Sequence, residues 1–344
     1  MVRRGRGRRD GAGMGSGMMG ARRDRDPESR LARFGSQRAE ATRHMAETIG
    51  VIGAGALGTL LATRLARGGH AVRVAVRTES RRDGLRREAP GLAAVECDPS
   101  VLRGATLLFL CVKAYDTQEA AASLASVLKG AAPNPGLCSL QNGWDHMGTL
   151  ESALPGIPLV AGATALGAYF DTGGTLHASV EGPTSLAPWG RTERRWAEYG
   201  ATVLEGAGIH ADAHGEAEAI LWRKLCLNAA VNPLTALLDC PNGALLERPA
   251  LLRVARVAAG EAARAGTRLG RLPIGLDPAP LLDGLLHDTR ANRSSMAEDL
   301  ARGRRTEADA ILGAAARAGA EAGEPTPVID ALLSLMNAAE ARSR

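Results

Sequence analysis

Three lysines occur in the 344 residues, Lys113, Lys129 and Lys224, and arginine supplies every other side-chain cation of the 42 Lys+Arg. An ammonium is a compact, titratable charge whose pKa falls on desolvation, whereas a guanidinium stays protonated. Lys129, at the end of an expected helix before Gly130, reads as an ordinary surface cation, whereas Lys113 and Lys224 stand where a compact, titratable ammonium would matter. Lys224 lies four residues before Asn228 and eight before Asn232, which places all three on one face of a helix. Leu221, Leu225 and Ala229 lie beside them. Burying an ammonium and two amides without partners is costly, so the stripe reads as facing a polar ligand. A solvent-facing stripe is the competing reading, and it is weakened because arginine, glutamine or glutamate would serve there. An ammonium beside a carbonyl oxygen can stabilise developing negative charge and donate a proton.

Three further groups carry polar chemistry. Ser295 and Glu307 sit in Ser294-Ser295-Met296 and Arg305-Thr306-Glu307. Twelve positions separate them, about 120° around an ideal helix, so they converge only if the helix breaks, for which Gly303 is suited. Val112-Lys113-Ala114-Tyr115 and Gln141-Asn142-Gly143 each follow an apolar run. Both stand at carboxyl ends of expected parallel strands, where open α/β sheets bind ligands. Gln-Asn-Gly taken alone reads as a turn.

The elements that would position these groups begin at Thr48–Ile52, a β-branched strand running into Gly53-Ala-Gly55-Ala-Leu-Gly58. A helical pattern through Leu57, Leu60, Leu61 and Leu65 follows, and then a strand over Ala71–Val76. This is the opening of a Rossmann dinucleotide-binding unit. Gly53 makes the tight turn, Gly55 admits the pyrophosphate and Gly58 lets the helix approach the strand. The helix N-terminus supplies free N–H groups for phosphate. An NAD site usually carries an acid at the end of the second strand. Here Arg73-Val-Ala-Val-Arg77 ends in arginine, which suits the 2′-phosphate of NADP. Arg81 and Arg82 read as a solvated helix face. Strands are expected at Leu107–Val112, Gly136–Leu140 and Leu159–Ala163, with a helix at Thr117–Leu128. Antiparallel hairpins are expected over Leu166–Pro188, and a last helix and strand end near Ala211. From His214 onward the pattern is helical. The expected fold is α/β: an N-terminal Rossmann dinucleotide-binding domain over 47–212 and an all-α C-terminal domain over 213–344. Ligand would bind in the cleft between them.

Charge divides the chain unevenly. Residues 1–44 hold twelve arginines and five acids, whereas the rest carries 30 basic and 32 acidic groups. The basicity thus belongs to the first segment, and residues 1–46 are expected to be a disordered Arg/Gly-rich extension. Contact with nucleic acid or anionic lipid through that segment is weighed against a plain extension, or a true start at Met45. The plain reading is preferred, so no nucleic-acid partner is expected. Arg3-Arg4 and Arg8-Arg9 precede no apolar h-region, which argues against a secretory or twin-arginine signal. No apolar run is long enough to span a membrane. The five cysteines form no CxxC pair, which suits reduced thiols in a cytoplasmic protein rather than a disulfide framework or a metal site.

Taken in order, these motifs resemble the ketopantoate reductases (2-dehydropantoate 2-reductases), from Thr48 to about Glu340. The resemblance rests on the glycine fingerprint, Val-Lys113-Ala-Tyr, Gln-Asn142-Gly, Glu181-Gly-Pro, and Trp-x-Lys224-x-x-x-Asn228-x-x-x-Asn232-Pro-Leu-Thr-Ala-Leu. Ser-Ser295-Met-x-x-Asp299, Arg-Thr-Glu307-x-Asp309 and Pro-Thr-Pro327 complete it. It implies NADPH-dependent reduction of ketopantoate to pantoate, in pantothenate and coenzyme A synthesis, by a monomer or homodimer. Lys224 would be the proton donor and Glu307 the acid that orients substrate and cofactor near it. Asn228, Asn232, Asn242 and Ser295 would hold the substrate. Arg77 and Lys113 would recognise the cofactor phosphate, Asn142 would lie between nicotinamide and substrate, and Ala168 would touch the cofactor through its backbone. Ala163, Ala165, Trp144, Ala308 and Ala310-Ile-Leu-Gly313 depart from the family pattern at positions expected near the cleft. Two alternatives follow: a reductase of another 2-keto acid, or a non-enzymatic NADP(H)-sensing protein.

Overall fold

The computed structural model describes residues 47–130, 133–171 and 173–343. The extension expected over residues 1–46 lies outside the described residues. Strand β1 (Thr48–Ile52) is buried at four of its five positions and lies inside an eight-stranded sheet. The glycine turn leads into α1 (Ala56–Arg67), and β2 (Ala71–Ala75) returns parallel to β1, with Thr48 opposite Ala71 and Ile52 opposite Ala75. Next come α2 (Glu79–Glu88), β3 (Ala94–Glu96), β4 (Leu107–Leu110), α3 (Thr117–Leu128), β5 (Gly136–Ser139), α4 (His146–Ala153) and β6 (Leu159–Thr164). The parallel order β3-β2-β1-β4-β5-β6 reverses direction between β1 and β4. Loops there diverge and leave a crevice at the carboxyl ends, where dinucleotides bind in such sheets. All four residues of β4 are buried, as are all four of β5, because both faces of a parallel sheet are covered.

The hairpin expected over Leu166–Pro188 is formed by β7 (Gly167–Phe170) and β8 (Leu176–Val180), a separate antiparallel pair. The last part of that stretch behaves differently. Strand β9 (Thr184–Pro188) joins the main sheet antiparallel to β6. Leu186 and Ala187 are fully buried, and only the main sheet offers a core on both sides of the strand. After α5 (Arg195–Gly206), β10 (Ala211–Ala213) pairs parallel with β9 and ends the sheet.

The remaining chain is helical: α6 (Ala217–Leu237), α7 (Pro249–Arg268), α8 (Ala279–Asp288), α9 (Ser295–Ala301), α10 (Ala314–Ala322) and α11 (Pro327–Ser343). Helix α6 is buried on nearly all sides, as expected of a helix at the centre of a bundle. Its neighbour α7 buries Ala255, Ala258, Ala259, Ala262, Ala263 and Ala265, so the two axes pack on small residues. Trp222 is the large exception, fully buried, with its indole N–H donating to Ala262 O at 2.9 Å. A Cβ at Gly266 would fall 1.9 Å from that nitrogen, so α7 makes room for the ring with a glycine.

Among the described residues no helix is long and apolar enough to cross a membrane, and no acid, histidine and cysteine cluster suits a metal ion. All five cysteines are free. Burial pushes the Cys111 and Cys226 thiols up to about 12, which leaves them protonated and unreactive.

Candidate active site

A cleft of about 1470 Å³ runs along the carboxyl ends of β1, β2, β4 and β5 and is closed from the other side by α6 and α9. The three fingerprint glycines line or support its wall for different reasons. Gly53 has φ +94°, and a Cβ there would meet Val112 N at 2.9 Å. A Cβ at Gly58 would fall 1.9 Å from Gly53 O. Those two are required by the protein's own packing. Gly55 has no protein atom within 4 Å of its would-be Cβ, and it precedes the first turn of α1. The protein gives no internal reason for that glycine. An approaching pyrophosphate does, and the N–H groups of α1 face the same space. The cradle therefore fits a dinucleotide.

At the end of β2, Arg77 is 69% exposed and stands 3.2 Å from Asp116. Arg82 pairs with Glu79 and Asp83 on the outer face of α2, as expected. Arg81 does not share that face, and the expectation for it is corrected. Its Nε donates to Ala54 O at 2.7 Å, one Nη to Thr59 Oγ1 at 2.6 Å, and both Nη atoms reach Glu88. The guanidinium also lies 4.9 Å from the centre of the Phe170 ring. Phe170 comes from β7, far along the chain, so helix periodicity gave no sign that Arg81 would be clamped against the glycine turn. Ala168, also on β7, lines the cleft.

Toward the floor, Gln141 fastens two strand-end loops together. Its amide donates to Thr117 Oγ1 at 2.8 Å and to Val112 O at 3.1 Å, while its carbonyl accepts from Ser139 at 3.0 Å. Asn142 is thereby presented to the cleft. Gly143 follows with φ +92°, and a Cβ there would fall 2.4 Å from Ala310 O. Only glycine lets this loop meet the helical half, so Gln-Asn-Gly is more than a turn.

Glu307 is 5% exposed and bridges the halves. The backbone N–H of Ala114 donates to its Oε1 at 3.0 Å, and Asn142 Nδ2 donates to its Oε2 at 2.9 Å. Lys113 Nζ stands 3.6 Å from Oε2 and 2.5 Å from Asp299 Oδ2. Arg304 holds the other oxygen of Asp299 at 2.8 Å. Lys113, expected at the cofactor phosphate, is thus held inward by two carboxylates. Burial acts to lower the Lys113 pKa, but the charges of Glu307 and Asp299 outweigh it and hold the group above its ordinary value. Asp299 was legible only as a motif letter, because its partners come from distant segments.

Lys224 lines the cleft with Asn228 and Asn232, on one face of α6 as the spacing required. Burial pushes its ammonium down to about 8, against the opposing pull of Glu307. Asn232 and Asn242 are each 7% exposed, while Ser295 is exposed. Asn242 Nδ2 donates to Thr289 at 2.9 Å, and its Oδ1 has no partner among the described residues. Ser295 opens α9 and lines the cleft beside them. Helix α9 ends at Ala301, and Gly303 takes φ +61°, so the break needed to bring Ser295 and Glu307 together occurs there. A π-helical turn, Asp309–Gly313, follows Glu307.

One buried group was not singled out from the sequence. His146 is 4% exposed, and neither ring nitrogen has a hydrogen-bond partner among the described residues. Burial and the charge of Lys224 push it down to about 3. Of the positions that depart from the family pattern, Ala163 and Ala165 line the cleft. Ala308 and residues 310–313 do not line it, and neither does Trp144, two residues beyond the lining Asn142. It packs edge-on against Trp189 and Trp222, at 5.8 and 5.1 Å, with Arg271 over the Trp144 and Trp222 rings. Its bulk fills the seam between the halves.

Residues 49–191 match the family described as Ketopantoate reductase PanE/ApbA, and residues 216–340 match its C-terminal counterpart. The 2-dehydropantoate 2-reductase of Archaeoglobus fulgidus is 34% identical over 300 residues, covering 86% of this chain and 98% of that one. The crystal structure of a PanE/ApbA family ketopantoate reductase from Ralstonia eutropha superposes with a TM-score of 0.74 at 27% identity, covering 86% and 99%. A D-mandelate dehydrogenase solved with NADH and anilino(oxo)acetate shares the fold, with a TM-score of 0.79 at 21% identity and coverage of 86% and 99%. With both halves matched and a relative of this identity along most of its length, the chain belongs to the ketopantoate reductase family of oxidoreductases.

Proposed function

We propose that the protein reduces 2-dehydropantoate to pantoate with NADPH, the step that feeds pantothenate and coenzyme A synthesis. The observation that carries this reading is Lys224, an ammonium lowered to about 8 by burial, in the cleft that the glycine turn opens. When bound, the nicotinamide supplies hydride to the ketone carbon. Lys224 stabilises the charge that grows on the ketone oxygen and delivers the proton to it. Asn228, Asn232, Asn242 and Ser295 hold the carboxylate and hydroxyl of the substrate with amide and hydroxyl groups. Asn142, fixed by Glu307, lies between the reacting partners, and Glu307 orients the set and tempers Lys224. Arg77 takes the 2′-phosphate, Lys113 adds positive potential behind the phosphates, and the Ala168 backbone borders the cofactor. On this reading residues 47–212 form the cofactor domain and 213–344 the substrate domain, and the setting is the cytoplasm.

The alternative substrate reading has one specific support. Ala163 and Ala165 leave cleft wall bare where the family often has hydroxyls, so a different 2-keto acid would fit. The test is a panel of 2-keto acids, each assayed with NADPH and with NADH and compared by kcat/KM. Ketopantoate should lead with NADPH. No turnover of ketopantoate by the intact protein overturns the first reading, and a clear preference for another acid installs the second.

A further inference from the structure

The 3₁₀ turn Ala114–Asp116 after β4 sorts its charges in opposite directions. Lys113, just before it, is drawn inward to Asp299 and Glu307. Asp116, at its end, faces the mouth of the cofactor cleft and lies 3.2 Å from Arg77. The neighbouring cations of α2 are already engaged, Arg81 at that mouth and Arg82 on the outer face. Arg81 spends its guanidinium on Ala54, Thr59 and Glu88, and Arg82 on Glu79 and Asp83. A 2′-phosphate arriving at Arg77 therefore meets a guanidinium that already has a carboxylate partner. That carboxylate is only 25% exposed, so it has little room to withdraw, and like charges at this range repel. A ribose 2′-hydroxyl meets no such penalty and can donate a hydrogen bond to an acid.

We propose that Asp116 is a specificity-determining residue of the cofactor site, competing with the 2′-phosphate for Arg77 and so holding down selectivity for NADPH over NADH. The proposal rests on the reading of Arg77 as the residue at the ribose 2′ position. Selectivity in this chain is then set by a pair, one residue attracting the phosphate and the other opposing it. The two effects are coupled, since removing Arg77 leaves Asp116 with nothing to compete for.

The test is calorimetric binding of NADP+ and of NAD+ to the full chain, which needs no turnover. Wild type, Asp116→Asn, Asp116→Glu, Arg77→Met and the Asp116→Asn/Arg77→Met double variant are compared. Asp116→Asn should raise the NADP+/NAD+ affinity ratio roughly tenfold, with the gain shrinking at high salt. Asp116→Glu should keep the ratio low, Arg77→Met should lower it, and the double variant should lose most of the gain. NAD+ binding by each variant reports an intact site. An unchanged ratio in Asp116→Asn, or no loss of NADP+ affinity in Arg77→Met, overturns the proposal. Keto-acid turnover is scored separately. Failure to reduce ketopantoate with the binding ratios as expected sinks the substrate reading and leaves the role of Asp116 standing.

Discussion

Lys113 and Lys224 feel the same carboxylate, that of Glu307, and are displaced in opposite directions. Burial prevails at Lys224 and lowers it to about 8, whereas at Lys113 the charges of Glu307 and Asp299 prevail and raise it. The difference is one of contact. Lys113 makes an ion pair with Asp299 and stands 3.6 Å from Glu307, while only the longer-range field of Glu307 reaches Lys224. One ammonium is fixed as a charge, and the other is left able to give up its proton.

Activity should therefore depend on pH through Lys224. The donor must be protonated, so kcat for keto-acid reduction should fall as pH rises through about 8. Glu307→Gln removes a charge that raises the Lys224 pKa, so the falling limb should move to lower pH. Lys224→Ala should lower kcat by about 10²–10⁴-fold, and Lys224→Arg should restore little, since arginine does not release its proton. A pH–rate profile that keeps its alkaline limb in Lys224→Ala would count against the assignment.

Stability should respond to the same group with a definite sign. Lys224 has a folded pKa of about 8 against 10.5 for an ordinary lysine, so the unfolded chain binds its proton more tightly. Its contribution to folding stability should rise as pH climbs from about 8 toward 10.5 and be at its poorest below 8. Lys224→Met should raise the neutral-pH melting temperature while abolishing turnover, with a gain of about 3 kcal/mol. Thermal melts across pH read this directly, and a variant no more stable than wild type at neutral pH would contradict the burial of the charge.

The fingerprint glycines should separate folding from cofactor binding. Gly58→Ala places a Cβ 1.9 Å from Gly53 O and should destabilise the fold, whereas Gly55→Ala meets no protein atom within 4 Å. Gly55→Ala should keep the wild-type melting temperature and lose affinity for NADP+ by about tenfold or more. Equal effects of both substitutions on stability would refute the division.

Gly266→Ala tests the seam. Its Cβ would collide with the Trp222 indole, 1.9 Å from Nε1, and break the bond to Ala262 O. The cost should be about 1–3 kcal/mol in denaturant unfolding, together with a shift in tryptophan fluorescence. A near-neutral result would mean that the ring has another place to sit.

Much of this molecule is legible in its sequence. The alternation of apolar runs located β1, β2, β4, β5 and β6, because buried parallel strands announce themselves as continuous hydrophobic stretches. The spacing of Lys224, Asn228 and Asn232 is a helix property and survived folding unchanged. Gly303 could be suspected because a glycine is where a helix ends without strain. What escaped was decided by residues distant in sequence. Arg81 is clamped by Ala54, Thr59 and Phe170, and Trp144 is drawn to Trp222 and Arg271. Asp299 and Asp116 each became meaningful only through a cation brought in by the fold. Strand β3 has three residues, too few for a period to show.

The ion-paired floor of the cleft also has a net valence. Lys113, Lys224 and Arg304 contribute three positive charges against the two of Asp299 and Glu307. Among these five groups a single positive charge is left over, while the neighbouring Arg293 and Arg302 are answered by Asp239 and Glu298. That balance suits the single carboxylate of the proposed keto-acid substrate.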